Sequence, residues 1–263
     1  MIVLLLIGLG LIFGSFVNAF VWRLKEQKNW VSERSECPHC HHVLAPKDLI
    51  PVISWLLLRG KCRYCGKPIP DSPLTELAVP LLFVASYFFW PMELAGQGLF
   101  SFVLWLVCIV GFVVLAVYDL RWFLLPDKVV FPLIGLAFFQ VLAIALVYEG
   151  SARPLAGAAA GVLTISGLFY ALYHLSKGAW IGFGDVKLGI VLGILAGGAV
   201  EGLLLLFVAS VLGMIVSLPL VFTGKAHRRS HVPFGPFLIM ALIVVQLFGP
   251  NIIDWYTGTL FLG

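Results

Sequence analysis

The chain has 263 residues, of which 61% are hydrophobic and only 11% charged, and its mean hydropathy is +1.04. A soluble domain carries about a quarter charged residues, so a water-soluble globule is excluded and the apolar excess must face lipid. The net charge of +4 gives no reason to expect a nucleic-acid partner; the placement of the seventeen Lys and Arg is what carries information.

Taken in order, the apolar runs predict about eight membrane spans: Ile2–Trp22, Leu74–Trp90, Leu99–Val117, Val129–Tyr148, Leu155–Leu175, Val186–Val200, Gly202–Phe222 and Phe234–Phe248. A span needs about 20 apolar residues, and in lipid the backbone must pair within its own segment, so each is a helix. The sixth is short and Gly-rich, with a break expected at Gly197-Gly198. If eight spans alternate, sixteen of the seventeen basic residues, including Lys225, Arg228 and Arg229, fall on one side, and Arg153 alone on the other. The positive-inside rule then places the N-terminus outside and every odd-to-even connection in the cytoplasm. The first span lacks a basic leading segment and reads as a retained anchor rather than a cleaved signal. The fold expected is therefore an all-α polytopic membrane protein. Its parts are a first helix over 1–22, a small cytoplasmic domain over 23–73, and a membrane domain over 74–263.

The polar segment holds Cys37-Pro38-His39-Cys40 and Cys62-Arg63-Tyr64-Cys65-Gly66. Two C-x2-C knuckles approximate the four-thiolate zinc pattern, and a closed four-Cys site is structural rather than catalytic. A reducing cytoplasm argues against disulfides. His39, His41 and His42 are potential competing ligands but read as solvent-facing, and Cys108 reads as a small apolar residue of span three.

Acidic residues are scarce, so their positions matter. Asp119 ends span three, Asp127 closes the loop after it, and Asp185 opens span six within Gly182-Phe183-Gly184-Asp185. Span parity puts all three at the cytoplasmic boundary. Two close carboxyls share one proton, so one activates water while the other polarises a carbonyl. Equally, an Asp at a helix N-terminus caps free N–H groups with no catalytic role, and Asp127 before Lys128 reads as a cap and surface pair. Lys187 reads as an interfacial anchor, or as a group tuning Asp185. From the residues alone both readings of the acids stand.

Five motifs occur in order: Phe13-Gly14-Ser15-Phe16-Val17-Asn18, the Cys knuckles, Tyr118-Asp119-Leu120 with Leu125-Pro126-Asp127, Gly182-Phe183-Gly184-Asp185-Val186-Lys187, and Pro233-Phe234-Gly235-Pro236-Phe237. Together they resemble the bacterial type IV prepilin peptidases, over nearly the whole chain. The resemblance implies cleavage of the basic leader of prepilins or pseudopilins, after a Gly, on the cytoplasmic face of the inner membrane. It implies Asp119 and Asp185 as the catalytic pair. It also implies N-methylation of the new N-terminal residue from S-adenosylmethionine. The sequence departs from the family at Asn18-Ala19, at Arg23-Leu24-Lys25 and at Asp71-Ser72-Pro73 before Glu76, departures that bear on methylation and leave the proteolytic motifs intact. No Gly-rich nucleotide fingerprint follows a strand, so the methyl-donor site has no sequence address. A methyltransferase without proteolysis and a transporter or scaffold with a zinc module are the competing readings. The near absence of charge within the spans speaks against a transporter, and the absence of H-E-x-x-H against a zinc peptidase.

Overall fold

The structure, a computed structural model, describes residues 1–29, 34–69, 72–222 and 233–261. The basic residues Lys225, Arg228 and Arg229, as well as Asp71, lie outside the described residues. Among those described the chain is helical, with no strand beyond two isolated bridges, Glu36 with Val43 and Lys61 with Pro68.

Ten helices follow in order among the described residues: α1 (Ile2–Lys25), α2 (Ile53–Leu57), α3 (Pro73–Phe89), α4 (Gly96–Trp122), α5 (Asp127–Ala143), α6 (Arg153–Val162), α7 (Leu168–Ser176), α8 (Phe183–Ala196), α9 (Ala199–Phe222) and α10 (Gly235–Phe261). A π-turn, Ile144–Tyr148, extends α5, and another, Leu163–Gly167, joins α6 to α7. The apolar runs fall in helical stretches, except that the sixth crosses from α8 into α9. Six helical stretches are long and apolar enough to cross a membrane, and α3, with 17 residues, and α8, with 14, are shorter. The protein is thus an all-α polytopic membrane protein. The sixth boundary differs from expectation: α8 starts at Phe183 and stops at Ala196, because Gly197 takes a left-handed φ of 76° and ends it. Ala199 and Val200 belong to α9. The last helix runs to Phe261, carrying Pro250 within it.

The chain forms two compact units, Met1–Phe88 with Ile109–Val117, and Phe89–Cys108 with Tyr118–Gly263. In the first, α1 buries Leu6, Gly10, Gly14, Val17, Asn18 and Val21 along one face. Gly10 and Gly14 form a small-xxx-small pair; Gly10 lies on Pro80 of α3, and a Cβ on Gly14 would come 2.7 Å from the Glu76 Cα. Leu4, Leu5 and Ile12 stay exposed, as lipid-facing residues do.

In the second unit α8 is the hub, packed against α5, α6, α7, α9 and α10. Its residues Val186, Leu188, Gly189, Val191, Leu192, Gly193 and Ile194 are buried. Glycines make this possible: Gly161 of α6 meets the Gly193 carbonyl, and a Cβ on Gly193 would come 2.5 Å from the Val162 Cα. The buried Ser166 hydroxyl, in the π-turn, donates to the Val186 carbonyl at 2.9 Å. Hub and π-turn together fix the start of α8, which carries Asp185.

Candidate active site and metal centre

Asp119 lies in the last turn of α4, which Phe123 ends by turning left-handed at φ 55°. Its residue is only 6% exposed. The Gly235 N–H, at the start of α10, donates to Asp119 Oδ2 at 3.2 Å. A Cβ on Gly235 would come 2.6 Å from that same oxygen, so only glycine lets the backbone approach the carboxylate.

Asp185 sits in the first turn of α8, three residues after the N-cap Gly182. Its carboxyl accepts from the Gly182 N–H, half of a capping box. The bland reading of Asp185 as a helix-end residue is thus partly met. It does not exhaust the site, because the Asp185 and Asp119 carboxyls interact electrostatically. Leu125 packs on a glycine beside each acid: its side chain lies 3.3 Å from a Cβ placed on Gly184 and 3.6 Å from one placed on Gly235. Two acids from different helices and two glycine backbones therefore converge around one leucine.

Asp127 is held elsewhere. It pairs with Lys187 of α8 rather than with its neighbour Lys128, and Lys187 also lies over the Phe131 and Phe183 rings. That tie joins the start of α5 to the start of α8. His174 stands edge-on to Tyr170, at 4.3 Å between ring centres, in the last turn of α7.

In the first unit, the four cysteine Sγ atoms lie within 4.8 Å of one another. The two knuckles repeat one backbone design. The Cys37 N–H donates to the His42 carbonyl at 3.0 Å, and the Cys62 N–H to the Lys67 carbonyl at 2.8 Å. The His41 and Gly66 N–H groups return to the Cys37 and Cys62 carbonyls at 2.9 Å each. The residue after each knuckle's second Cys is left-handed, at φ 54° for His41 and 70° for Gly66, so glycine is the easy residue there and His41 the costlier one. His39, His41 and His42 are exposed, and His42 stacks on Tyr64 across the knuckles, 3.7 Å between ring centres.

The donor set fits a tetrahedral thiolate metal site. A Zn–S bond of about 2.3 Å sets vertices about 3.8 Å apart, and Cys37 and Cys65 are 3.9 Å apart. Burial pushes the Cys62 thiol up, but the Cys65 and Tyr64 N–H groups and the neighbouring thiols bring it down to about 7. Backbone donors aimed at sulfur favour the thiolate, the form that ligates metals. Asp48 braces the second knuckle by accepting from Arg63 Nε at 2.7 Å and Tyr64 OH at 3.0 Å. Cys108 is fully buried among apolar neighbours of α4.

Residues 8–90 match the bacterial peptidase A24 N-terminal domain, and residues 102–218 match the type IV leader peptidase family. The prepilin leader peptidase/N-methyltransferase of Aeromonas hydrophila is 34% identical over 94% of this chain and 90% of its own length. The protein of that name from Bacillus subtilis is 32% identical over 94% of each chain. The chain belongs to the type IV leader peptidase family.

No solved structure matches it. The sequence offers Asp119 and Asp185 as candidates through the resemblance, but assigns no role to Gly235 or Leu125. The signal was present in Pro233-Phe234-Gly235-Pro236-Phe237, where Pro236 just inside a helix start marks a backbone turn. Which side chain that turn would meet is visible only in three dimensions.

Proposed function

We propose that this chain cleaves the leader from prepilin or pseudopilin substrates at an aspartic dyad of Asp119 and Asp185, then N-methylates the new terminus from S-adenosylmethionine. The observation that carries the proteolytic half is the convergence of the two carboxyls, from α4 and α8, beside the Gly235 N–H. Membership of a family whose relatives are named prepilin leader peptidase/N-methyltransferase supports both halves.

In this reading one carboxyl of the pair is ionised and the other holds the shared proton. The ionised carboxylate takes a proton from water as its oxygen attacks the scissile carbonyl carbon. The protonated partner donates to the carbonyl oxygen, giving a neutral tetrahedral species. Collapse breaks the C–N bond, and a proton passes to the leaving amine. The Gly235 N–H fixes Asp119 before substrate arrives, so its orientation costs nothing at the moment of reaction. Gly182 leaves the face of Asp185 free of a side chain.

The substrate's apolar helix lies among the spans, and its basic leader emerges on the cytoplasmic face. That placement follows from eight crossings with the N-terminus outside in a bacterial inner membrane, where α3 and α8 cross as short helices. Cys37, Cys40, Cys62 and Cys65 hold zinc in the cytoplasmic domain of residues 23–73, and zinc, when bound, supplies a closed structural clamp. The methylated product would carry the donor's methyl group on its N-terminal nitrogen.

The test is mass measurement of a prepilin incubated with purified protein in detergent, with and without S-adenosylmethionine. Loss of the leader mass, followed by a gain of one methyl group only with the donor, is expected. An intact substrate refutes the peptidase reading.

A further inference from the structure

The first unit holds a cavity of about 410 Å³ walled by the end of α1, the cysteine-bearing segment, α2 and the start of α3. Sites for small molecules have about this size and are mostly apolar with a few placed polar groups. Two of those polar groups are orphaned. Asn18 is 7% exposed; its Nδ2 donates to the Ser72 carbonyl at 3.5 Å, while its Oδ1 has no partner among the described residues. The buried Trp55 Nε1–H also has none among them. Buried polar atoms are nearly always paired, and an unpaired one in a native fold calls for a ligand or an ordered water.

A third observation is independent of these. Val52, between the cavity-lining Pro51 and Ser54, stands at φ 61° and ψ −49°. Ile53 N–H donates to the Pro51 carbonyl at 2.5 Å, closing a three-residue turn of the strained hand. A β-branched residue avoids positive φ. The Glu76 carboxylate holds it there, accepting the Val52 N–H at 2.6 Å. Strain that the surroundings enforce gathers at binding sites, and here it shapes the wall that carries Glu76.

We propose that this cavity is the methyl-donor site and takes a nucleoside sulfonium with an amino-acid tail, S-adenosylmethionine. The inference rests on the methylation reading above and supplies the address that the sequence lacks. Trp55 offers a flat indole surface of the kind that stacks a purine, and the Trp22 ring already attracts a cation, the Lys28 ammonium 4.5 Å from its centre, which a sulfonium would displace from that face. Glu76 adds negative charge for that cation. The Asn18 oxygen accepts and the Trp55 N–H donates, complementing the donor and acceptor edges of a nucleoside. The site is built from side chains of a helix end and of the cysteine-bearing ribbon over 34–69 rather than from a Gly-rich strand-to-helix turn, which accounts for the missing fingerprint.

Photo-crosslinking of the purified full-length protein with 8-azido-S-adenosylmethionine tests this directly. Label on peptides within residues 12–76, suppressed by excess S-adenosylmethionine, is expected; label confined to peptides elsewhere overturns the assignment. Ala19 also lines the cavity, and Ala19→Phe fills it. The methylated fraction of cleaved prepilin should then fall more than tenfold, and an unchanged fraction overturns the site. If the unaltered enzyme cleaves prepilin yet never yields methylated product, the methylation reading fails and this site with it.

Discussion

The side chains that decide the chemistry are few. Asp119→Asn and Asp185→Asn each keep size and shape but would abolish the proton sharing of the proposed dyad, so each should lower cleavage by about a thousandfold or more, a loss in the range set by removing one member of a catalytic unit. A gel assay of processed against unprocessed prepilin, with membrane insertion confirmed by fractionation, reads the result; full cleavage by either variant would discard the dyad. Gly235→Ala is subtler. Its Cβ would stand 2.6 Å from Asp119 Oδ2, closer than real Cβ contacts allow, so either the carboxylate or the start of α10 must move. Overpacking of this kind costs about 1–3 kcal/mol, and cleavage should fall at least tenfold while the fold persists. A Gly235→Ala enzyme with normal kcat would show that the backbone approach is not needed.

Among the elements, the cysteine ribbon and the hub helix α8 make separate predictions. The ribbon has almost no apolar core of its own, so metal should supply much of its folding energy, as in small zinc domains. Elemental analysis should find one zinc per chain, and a strong chelator should expose residues 34–69 to protease; resistance after complete metal removal would contradict this. Asp48 gives the ribbon a pH signature. Burial alone would raise its carboxyl, but Arg63, Tyr64 and the Ala45 amide more than reverse that and hold it below the ordinary value. A carboxylate lowered on folding stabilises the fold above its unfolded value and loses that contribution as pH falls through its folded value. The stability difference between the native chain and Asp48→Asn should therefore be full at neutral pH and shrink below about pH 4. A difference that stays constant across that range would mean that Asp48 acts through packing alone. In α8 the physical demand is closeness rather than charge: Gly193 faces Val162 and Gly161 of α6, and a helix packed against five neighbours has little room to shift.

For the molecule as a whole, the decisive question is how often the chain crosses. Six helical stretches span by length and composition alone. In the eight-crossing proposal the two shorter helices, α3 and α8, also cross, and the alternation then puts sixteen of the seventeen basic residues on one side. Ser151→Cys, in the α5–α6 connection, should react with a membrane-impermeant maleimide added to intact spheroplasts, and Ala179→Cys, in the α7–α8 connection, only after lysis. The reverse pattern, or equal labelling of both, would break the eight-crossing topology.

Helix content, the long apolar runs and the two cysteine knuckles were legible in the residue order, because each follows from local rules; the residues alone left Asp119 and Asp185 open between capping and catalysis, and only the family resemblance paired them. Lipid forces apolar runs into helices, knuckle spacing brings thiols together, and charge avoids the bilayer interior. What could not be read were relations between distant segments: Asp127 meeting Lys187 sixty residues away instead of its neighbour, Gly235 placing its N–H on Asp119, Glu76 holding Val52, and Asn18 and Glu76 lining one cavity. Periodicity and composition report what each stretch prefers. Which stretches touch is settled by the packing of glycine-lined helix faces, and only the folded chain holds that information.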